Sequence, residues 1–386
     1  MLIVNNIPFH GNQTITPYWP DGLMNPKLSW EETKQFDAGL DLEFFDNRLS
    51  FELDYYYRYT DKLLAQVTLP GDYNAYSAQW QNAYAISNQG IELQIKADLI
   101  RSEKLHWDFS FNIARNWDRL EKSNNGMDFN NLASKHNLNI IGKPLNGIYV
   151  FNDQGYYNSQ DEVPLYYVNG RRKYLSSLGN QIYSPGDRRI QDVDGNGQVA
   201  TIIPLLEDRV YGGSPLPLAF GGIATTLKWK GIDVNLLFSY KLGRHVLNAG
   251  RGASVGTILR ANTAEMMVPI LANLDKVSFW QKPGDNADFP INELENGKNN
   301  FATNLKSNVE KINYLKLKSI SIGYILPVFP KQSKHYARVF MSVENVFTIT
   351  NSSSPDPESI DIVTGVDSNN NYPLATRFTL GLTLNL

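Results

Sequence analysis

Alternation with a period of two runs through most of this chain, and it limits the possible folds more than any other feature. Phe36, Ala38, Leu40, Leu42 and Phe44 alternate with Gln35, Asp37, Gly39, Asp41 and Glu43. After a short polar turn at Asp46-Asn47, Leu49, Phe51, Leu53, Tyr55, Tyr57 and Tyr59 alternate with Ser50, Glu52, Asp54, Tyr56 and Arg58. Successive side chains of a strand point to opposite faces, so the pair reads as a hairpin with one apolar and one wet face. The pattern returns at Ile91–Leu99, Leu105–Ile113, Ile223–Trp229, Ile232–Tyr240, Ala337–Val343 and Phe378–Leu386. Lys230-Gly231 makes a tight turn between two of these runs. Between Tyr314 and Ile325 the phase slips from Leu317 to Ile320, which predicts a β-bulge. The expectation is nine strands, most of them about ten residues long.

The connections alternate in length. Short turns follow the first, third, fifth and seventh runs, and long segments follow the others; Asn116 to Pro217 spans roughly a hundred residues rich in Asn, Gly, Tyr and Pro. Loops of that length are unusual in compact soluble domains, whereas outer-membrane barrels join short periplasmic turns to long extracellular loops. The longest apolar run, Val199 to Leu206, is eight residues with Thr201 and Pro204 inside it, which excludes transmembrane helices. A mean hydropathy of -0.35 suggests a soluble chain, but alternation hides an apolar band from such averages. Phe44, Phe45, Tyr57, Tyr59, Trp107, Trp117, Trp229, Tyr240 and Tyr324 lie near strand ends, as interfacial girdles do. The same aromatics and alternation also fit the core of a soluble β-sandwich.

A formal charge of -3 argues against nucleic acid as a partner, and the absence of cysteine excludes disulfides and thiolate zinc sites. The N-terminal MLIVNNIPFHGNQ carries no basic n-region, so no secretory signal is expected there and the chain as written is not expected to export itself.

Asp192-Val193-Asp194-Gly195-Asn196-Gly197 opens like a calcium loop, with Asp192, Asp194 and Asn196 at the first three oxygen-ligand positions. Ile203 stands at the twelfth position, so Asp208 or Glu207 would have to fold back to complete a Ca2+ site; an Asp-rich structural turn is the alternative. Tyr73, Tyr76, Trp80, Tyr156, Tyr157, Tyr166, Tyr167 and Trp280 are loop aromatics suited to stacking on sugars or contacting peptides. They serve equally to pack loops together or against a partner. The five histidines, His10, His106, His136, His245 and His335, are scattered, and no nucleophile elbow, phosphate loop or His-Glu-x-x-His motif occurs. His106 beside Asp108, and Glu52, Asp54 and Arg58, read as lumen charges, so an enzyme is not expected.

Thr379-Leu380-Gly381-Leu382-Thr383-Leu384-Asn385-Leu386 follows the terminal pattern of outer-membrane barrels, with Leu386 in place of the usual aromatic. Asn25 to Leu64, Ile86 to Ile95, DVDGNGQVA, DRVYGGSPLPLAFGGI, Tyr314 to Pro327, VFMSVENVFTIT, SPDPES and YPLATRFTLGLTLNL occur in the order in which they stand in another family. Together they resemble the SusC/RagA-type TonB-linked outer-membrane proteins of Bacteroidota. The resemblance implies a cell outer membrane location, a barrel of about 22 strands around a plug, import of glycans or peptides, and a SusD-like surface lipoprotein partner. It covers only the C-terminal part of that barrel. Residues 1–386 are accordingly expected to be the C-terminal portion of a TonB-dependent receptor barrel, truncated or split, without plug or earlier strands. TonB contact would then need parts that are missing. A soluble or surface carbohydrate-binding β-protein is the competing reading.

Overall fold

The computed structural model describes residues 7–9, 13–15, 23–69, 78–123, 129–130, 136–168, 170–177, 180–199, 208–250, 278–291, 304–327, 336–368 and 372–385. Among the described residues nine strands, antiparallel to one another in chain order, form the path of one sheet, which a short tenth strand, Val366–Asp367, joins in parallel. They are β1 (Glu32–Phe44), β2 (Leu49–Thr68), β3 (Ala78–Arg101), β4 (Leu105–Lys122), β5 (Ala219–Trp229), β6 (Ile232–Asn248), β7 (Val309–Leu326), β8 (Tyr336–Thr350) and β9 (Arg377–Asn385). The nine runs of alternation are these strands. The connections after β4, β6 and β8, the long ones, leave the sheet at one end.

Register turns nine separate apolar stripes into one band. Leu40 pairs with Leu53, Leu53 with Leu93, and Leu93 with Ile113. Further along, Leu227 pairs with Val234, Val234 with Ile322, Ile322 with Met341, and Met341 with Leu380. No second sheet among the described residues covers this band: Phe36, Leu40, Leu53, Ile91, Trp107, Ile322, Met341 and Leu380 are exposed. That arrangement removes the soluble sandwich, whose apolar face must pack against a partner layer. Opposite faces carry the charges: Glu52 accepts from Lys96 at 2.9 Å and Asp108 pairs with His106 at 2.8 Å.

The slip read between Leu317 and Ile320 is a bulge at Lys318. Leu317 pairs with Phe238 and Ser319 with Leu237, leaving Lys318 unmatched and returning Ile320 to the apolar face beside Leu236. On the wet face Gly323 makes room for a brace. Arg338 of β8 crosses the β7 glycine to reach Asp233 of β6, donating from Nε at 2.8 Å and from Nη2 at 2.5 Å. A Cβ at Gly323 would collide with that guanidinium.

Two expectations need correction. Most strands are longer than ten residues; β2 has 20 and β3 has 24. Only nine residues, 69–77, separate β2 from β3, so the long connection expected there is mostly strand. The alternation ends where polar and apolar residues mix on both faces, while backbone pairing continues past it. Asn82 of β3, for example, donates to the carbonyls of Ser29 and Lys62 rather than packing.

Among the described residues the largest buried core lies in the loops. Phe151, Tyr157, Val163, Leu175, Tyr183, Ile190, Val199 and Leu305 form one cluster. A second, of Ile148, Val150, Leu247 and Ala249, ties a small sheet to the top of β6. That small sheet contains Asn137–Asn139, Gly147–Phe151 and Arg209–Gly213.

Gly323→Val should expel Arg338 from Asp233 and lower folding stability by about 1–3 kcal/mol, as overpacking does. Urea titration in detergent checks this; an unchanged midpoint would show that the brace carries no stability.

Candidate functional site

The loop mass encloses a polar cleft of about 640 Å³. Its floor is a two-stranded ladder in which Asp153–Tyr156 meets Arg188–Ile190. Arg188 donates to Asp153 at 3.0 Å, both side chains being less than a tenth exposed, and its guanidinium lies 5.5 Å from the centre of the Tyr156 ring. The other Asp153 oxygen accepts from the Ser307 amide at 2.9 Å. One wall is the 284–289 segment, held to the floor by the Gly284 amide donating to Asn158 at 2.7 Å and by the Tyr156 hydroxyl donating to the Ala287 carbonyl at 3.2 Å. Arg189, Asp285, Asn286, Asp288 and Asn308 also line it. This mixture of fixed donors and acceptors suits a polar, uncharged or zwitterionic ligand rather than an apolar one.

Beside it sits the Asp-rich turn. The carboxylate oxygens of Asp192, Asp194 and Asp208 lie within 4.8 Å of one another. Asp208, fully buried, does fold back, and it accepts from the Val193 amide at 2.9 Å. Asp192 accepts from the Gly195 and Gly197 amides, both at 2.8 Å, while Asn196 accepts from the Gln198 amide at 2.7 Å. The turn is therefore ordered by its own backbone donors, and its all-oxygen donor set is that of a hard cation. Tyr166 is pushed up to about 12 by burial and by its hydrogen bond to Asp192.

A third feature lies on the wet face. The segment 351–368 after β8 folds back as a strap across β7 and β6. Lys316 of β7, 3% exposed, reaches Asp356 at 3.2 Å and Glu358 at 2.9 Å, and Lys318 reaches Glu358 at 2.7 Å. Buried Arg244 of β6 donates to the carbonyls of Pro215, Ile360 and Asp361. Val366–Asp367 then pairs, parallel, with Leu247–Asn248 at the top of β6. Burial pushes Glu358 upward, but hydrogen bonds from Lys318 and Lys316 hold it below the ordinary carboxylate value. Asp361 is lowered by the Thr364 amide and, with it, the Val363 amide.

Comparison with known proteins fits this geometry. Residues 5–250, well over half of the chain, match the family described as TonB dependent receptor-like, beta-barrel. The chain belongs to the TonB-dependent receptor β-barrel family. Among curated members, TonB-dependent receptor P3 of Formosa agariphila is 28% identical over 97% of this chain and 36% of its own length. TonB-dependent receptor SusC of Bacteroides thetaiotaomicron is 24% identical over 93% of this chain and 32% of its own length. A solved structure of the RagAB peptide transporter superposes with a TM-score of 0.68 at 23% identity, covering 98% of this chain and 38% of that one; it shows a shared fold. The chain thus spans little more than a third of the relatives it matches. Members of this TonB-dependent receptor family are outer-membrane proteins and receptors rather than enzymes, so the exposed apolar band is the lipid face.

Of the aromatics singled out from sequence, Tyr156 is the one among the described residues that lines the cleft. Tyr157 is 1% exposed inside the loop core, and burial pushes its hydroxyl up to about 12. Trp280 is 6% exposed and packs over Gly186, where an added Cβ would touch its ring at 2.6 Å. Neither presents a face to a ligand. Trp80 is exposed at the start of β3, away from the cleft residues. Tyr73 and Tyr76 lie outside the described residues. Sequence reasoning missed Asp153, Arg188, Asn158 and the strap ion pairs. The SPDPES phrase was a signal for the last, but nothing in it names Lys316 as its partner.

Because the folded values of Glu358 and Asp361 lie below their unfolded ones, their contribution is full above the ordinary carboxylate range. It is lost as pH falls through the depressed values. Amide exchange of residues 351–368 should therefore stay protected down to about pH 4.5 and lose protection below it; loss already at pH 6 would contradict the assignment.

Proposed function

We propose that this chain is the C-terminal barrel portion of an outer-membrane nutrient importer that takes up a glycan or peptide with TonB-dependent energy. The observation that carries the reading is the single apolar band across nine registered strands, with the long connections gathered at one end of the sheet. In lipid a free strand edge costs several kcal/mol, roughly, for each unsatisfied backbone group. β1 and β9 each present one edge that is unpaired among the described residues. Further strands from a longer polypeptide, or from its split partner, would close the barrel, and TonB contact would come through those parts. Reading the DNA before Met1 tests this; no barrel or plug coding sequence in any frame would sink it.

The place of the cleft among the long connections, which this reading makes extracellular, its polar lining and the kinship to SusC support substrate contact at Asp153, Tyr156, Asn158 and Arg188. A SusD-like lipoprotein is the partner that reading calls for. Uptake of labelled oligosaccharide or oligopeptide by cells carrying the receptor is the direct assay. Asn158→Ala together with Tyr156→Ala should reduce uptake about tenfold at limiting substrate while leaving barrel assembly intact, if two good polar contacts are lost. Unchanged uptake would place the substrate elsewhere.

We also propose Ca2+ for the turn of Asp192, Asp194, Asn196 and Asp208. What supports it is the return of Asp208 onto a loop with calcium-type spacing. Calorimetric titration should show heat that Asp208→Asn abolishes; no heat above buffer leaves a structural turn.

A further inference from the structure

At the short-turn end of the sheet a second cavity, about 590 Å³, opens across the barrel rim. Its lining joins two environments. Leu105, Trp229 and Ile232 belong to the apolar, lipid-facing band, whereas His106, Lys228, Asp233, Ile325 and Arg338 belong to the lumen face. Lys104 and Lys230 come from the turns between β3 and β4 and between β5 and β6.

The charge balance of this cavity is uneven. Asp233 is taken by Arg338, and His106 by Asp108. Glu103 is the remaining carboxylate of the lining, set against Lys104, Lys228 and Lys230. Among the described residues none of these three lysines has a carboxylate within 4 Å. The two turns are joined by the Lys230 amide donating to the Lys104 carbonyl at 3.4 Å, which holds their backbones together.

Backbone conformation adds an independent observation. Lys230 has φ +46° and Gly231 φ +87°. This is the two-residue hairpin turn that Asn-Gly or Gly-Gly occupies without strain. A lysine in the left-handed region is unfavourable, and residues kept in such conformations concentrate where they do something. The Lys230 ammonium also lies 5.1 Å from the centre of the Trp229 ring. Tryptophan beside lysine at the boundary of an apolar band is the arrangement that sits at the lipid headgroup level.

We propose that this rim cavity binds the phosphate of an anionic phospholipid in the periplasmic leaflet. Lys104 and Lys230 face the phosphate from the two joined turns, with Lys228 behind them, and the acyl chains run along Leu105, Trp229 and Ile232. The proposal rests on the barrel orientation and not on the substrate assigned above. Juxtamembrane lysines attract anionic lipid by roughly fivefold each, so two of them are worth more than tenfold.

The experiment uses the receptor polypeptide that carries this chain, extracted from outer membranes in mild detergent. Native mass spectrometry with added dioctanoyl phosphatidylglycerol, dioctanoyl phosphatidylcholine or inorganic phosphate reads the bound species. Phosphatidylglycerol is expected to bind at least tenfold more tightly than phosphatidylcholine. Lys104→Gln with Lys230→Gln should remove that preference, and Lys173→Gln in an extracellular hairpin should not. Lys230→Asn, which suits the turn better, keeps the fold and still lowers binding. In vesicles containing lipid brominated near the headgroup, Trp229→Phe should remove part of the tryptophan quenching. Equal binding of the two lipids, no effect of the lysine changes, or displacement by millimolar inorganic phosphate alone would overturn the proposal. So would a protein bound across these turns that the lysine changes release while leaving lipid binding unaltered.

Discussion

Backbone hydrogen bonding in a medium without water is the constraint on which the rest depends. Every strand inside lipid must find its donors and acceptors on neighbouring strands, because nothing else is available there. Long antiparallel ladders follow, and with them a fixed register. Once Leu40 faces Leu53 and Leu53 faces Leu93, one face of the whole sheet is apolar and the other is wet. A slip of one residue anywhere would exchange the faces, which explains why the Lys318 bulge is needed to bring Ile320 back into phase.

This inverts the usual place of the core. The sheet's apolar residues are spent on lipid, so the tight packing lies in the loops, around Phe151, Tyr157, Tyr183 and Leu305. The wet face is braced by charge instead, with Arg338 reaching Asp233 across Gly323 and Lys316 meeting the strap acids. The same two-sided logic sets the functional geography. Long connections form a polar cleft at one rim, and short basic turns form a lipid-level cavity at the other.

Period-two alternation was enough to place all nine strands, the Lys230-Gly231 turn and the bulge, because a half-buried strand writes its geometry directly into the sequence. It did not set strand ends. Beyond the lipid band β3 mixes polar and apolar residues on both faces, with Gln81 and Asn82 beside Trp80, Ala83 and Tyr84, so no alternation marks it although the ladder continues. Loop contacts were still less legible. Tyr156 and Tyr157 are adjacent in sequence, yet one lines a cleft and the other fills a core, and only the pairing of Asp153–Tyr156 with Arg188–Ile190 separates them. The return of Asp208 onto Asp192 was a condition that the calcium reading set, and nothing in the spacing decided between Asp208 and Glu207.

The central claim is that one face of the sheet meets lipid and the other water. Residues 1–386 contain no cysteine, so each introduced cysteine is the single labelling site within them. The decisive measurement is labelling of Ile91→Cys, Glu92→Cys, Leu93→Cys, Gln94→Cys and Ile95→Cys on β3 with a water-soluble maleimide, in intact outer membranes. Labelling at 92 and 94, with protection at 91, 93 and 95, is the predicted result. Equal labelling at all five positions, or protection in the opposite phase, would contradict the account.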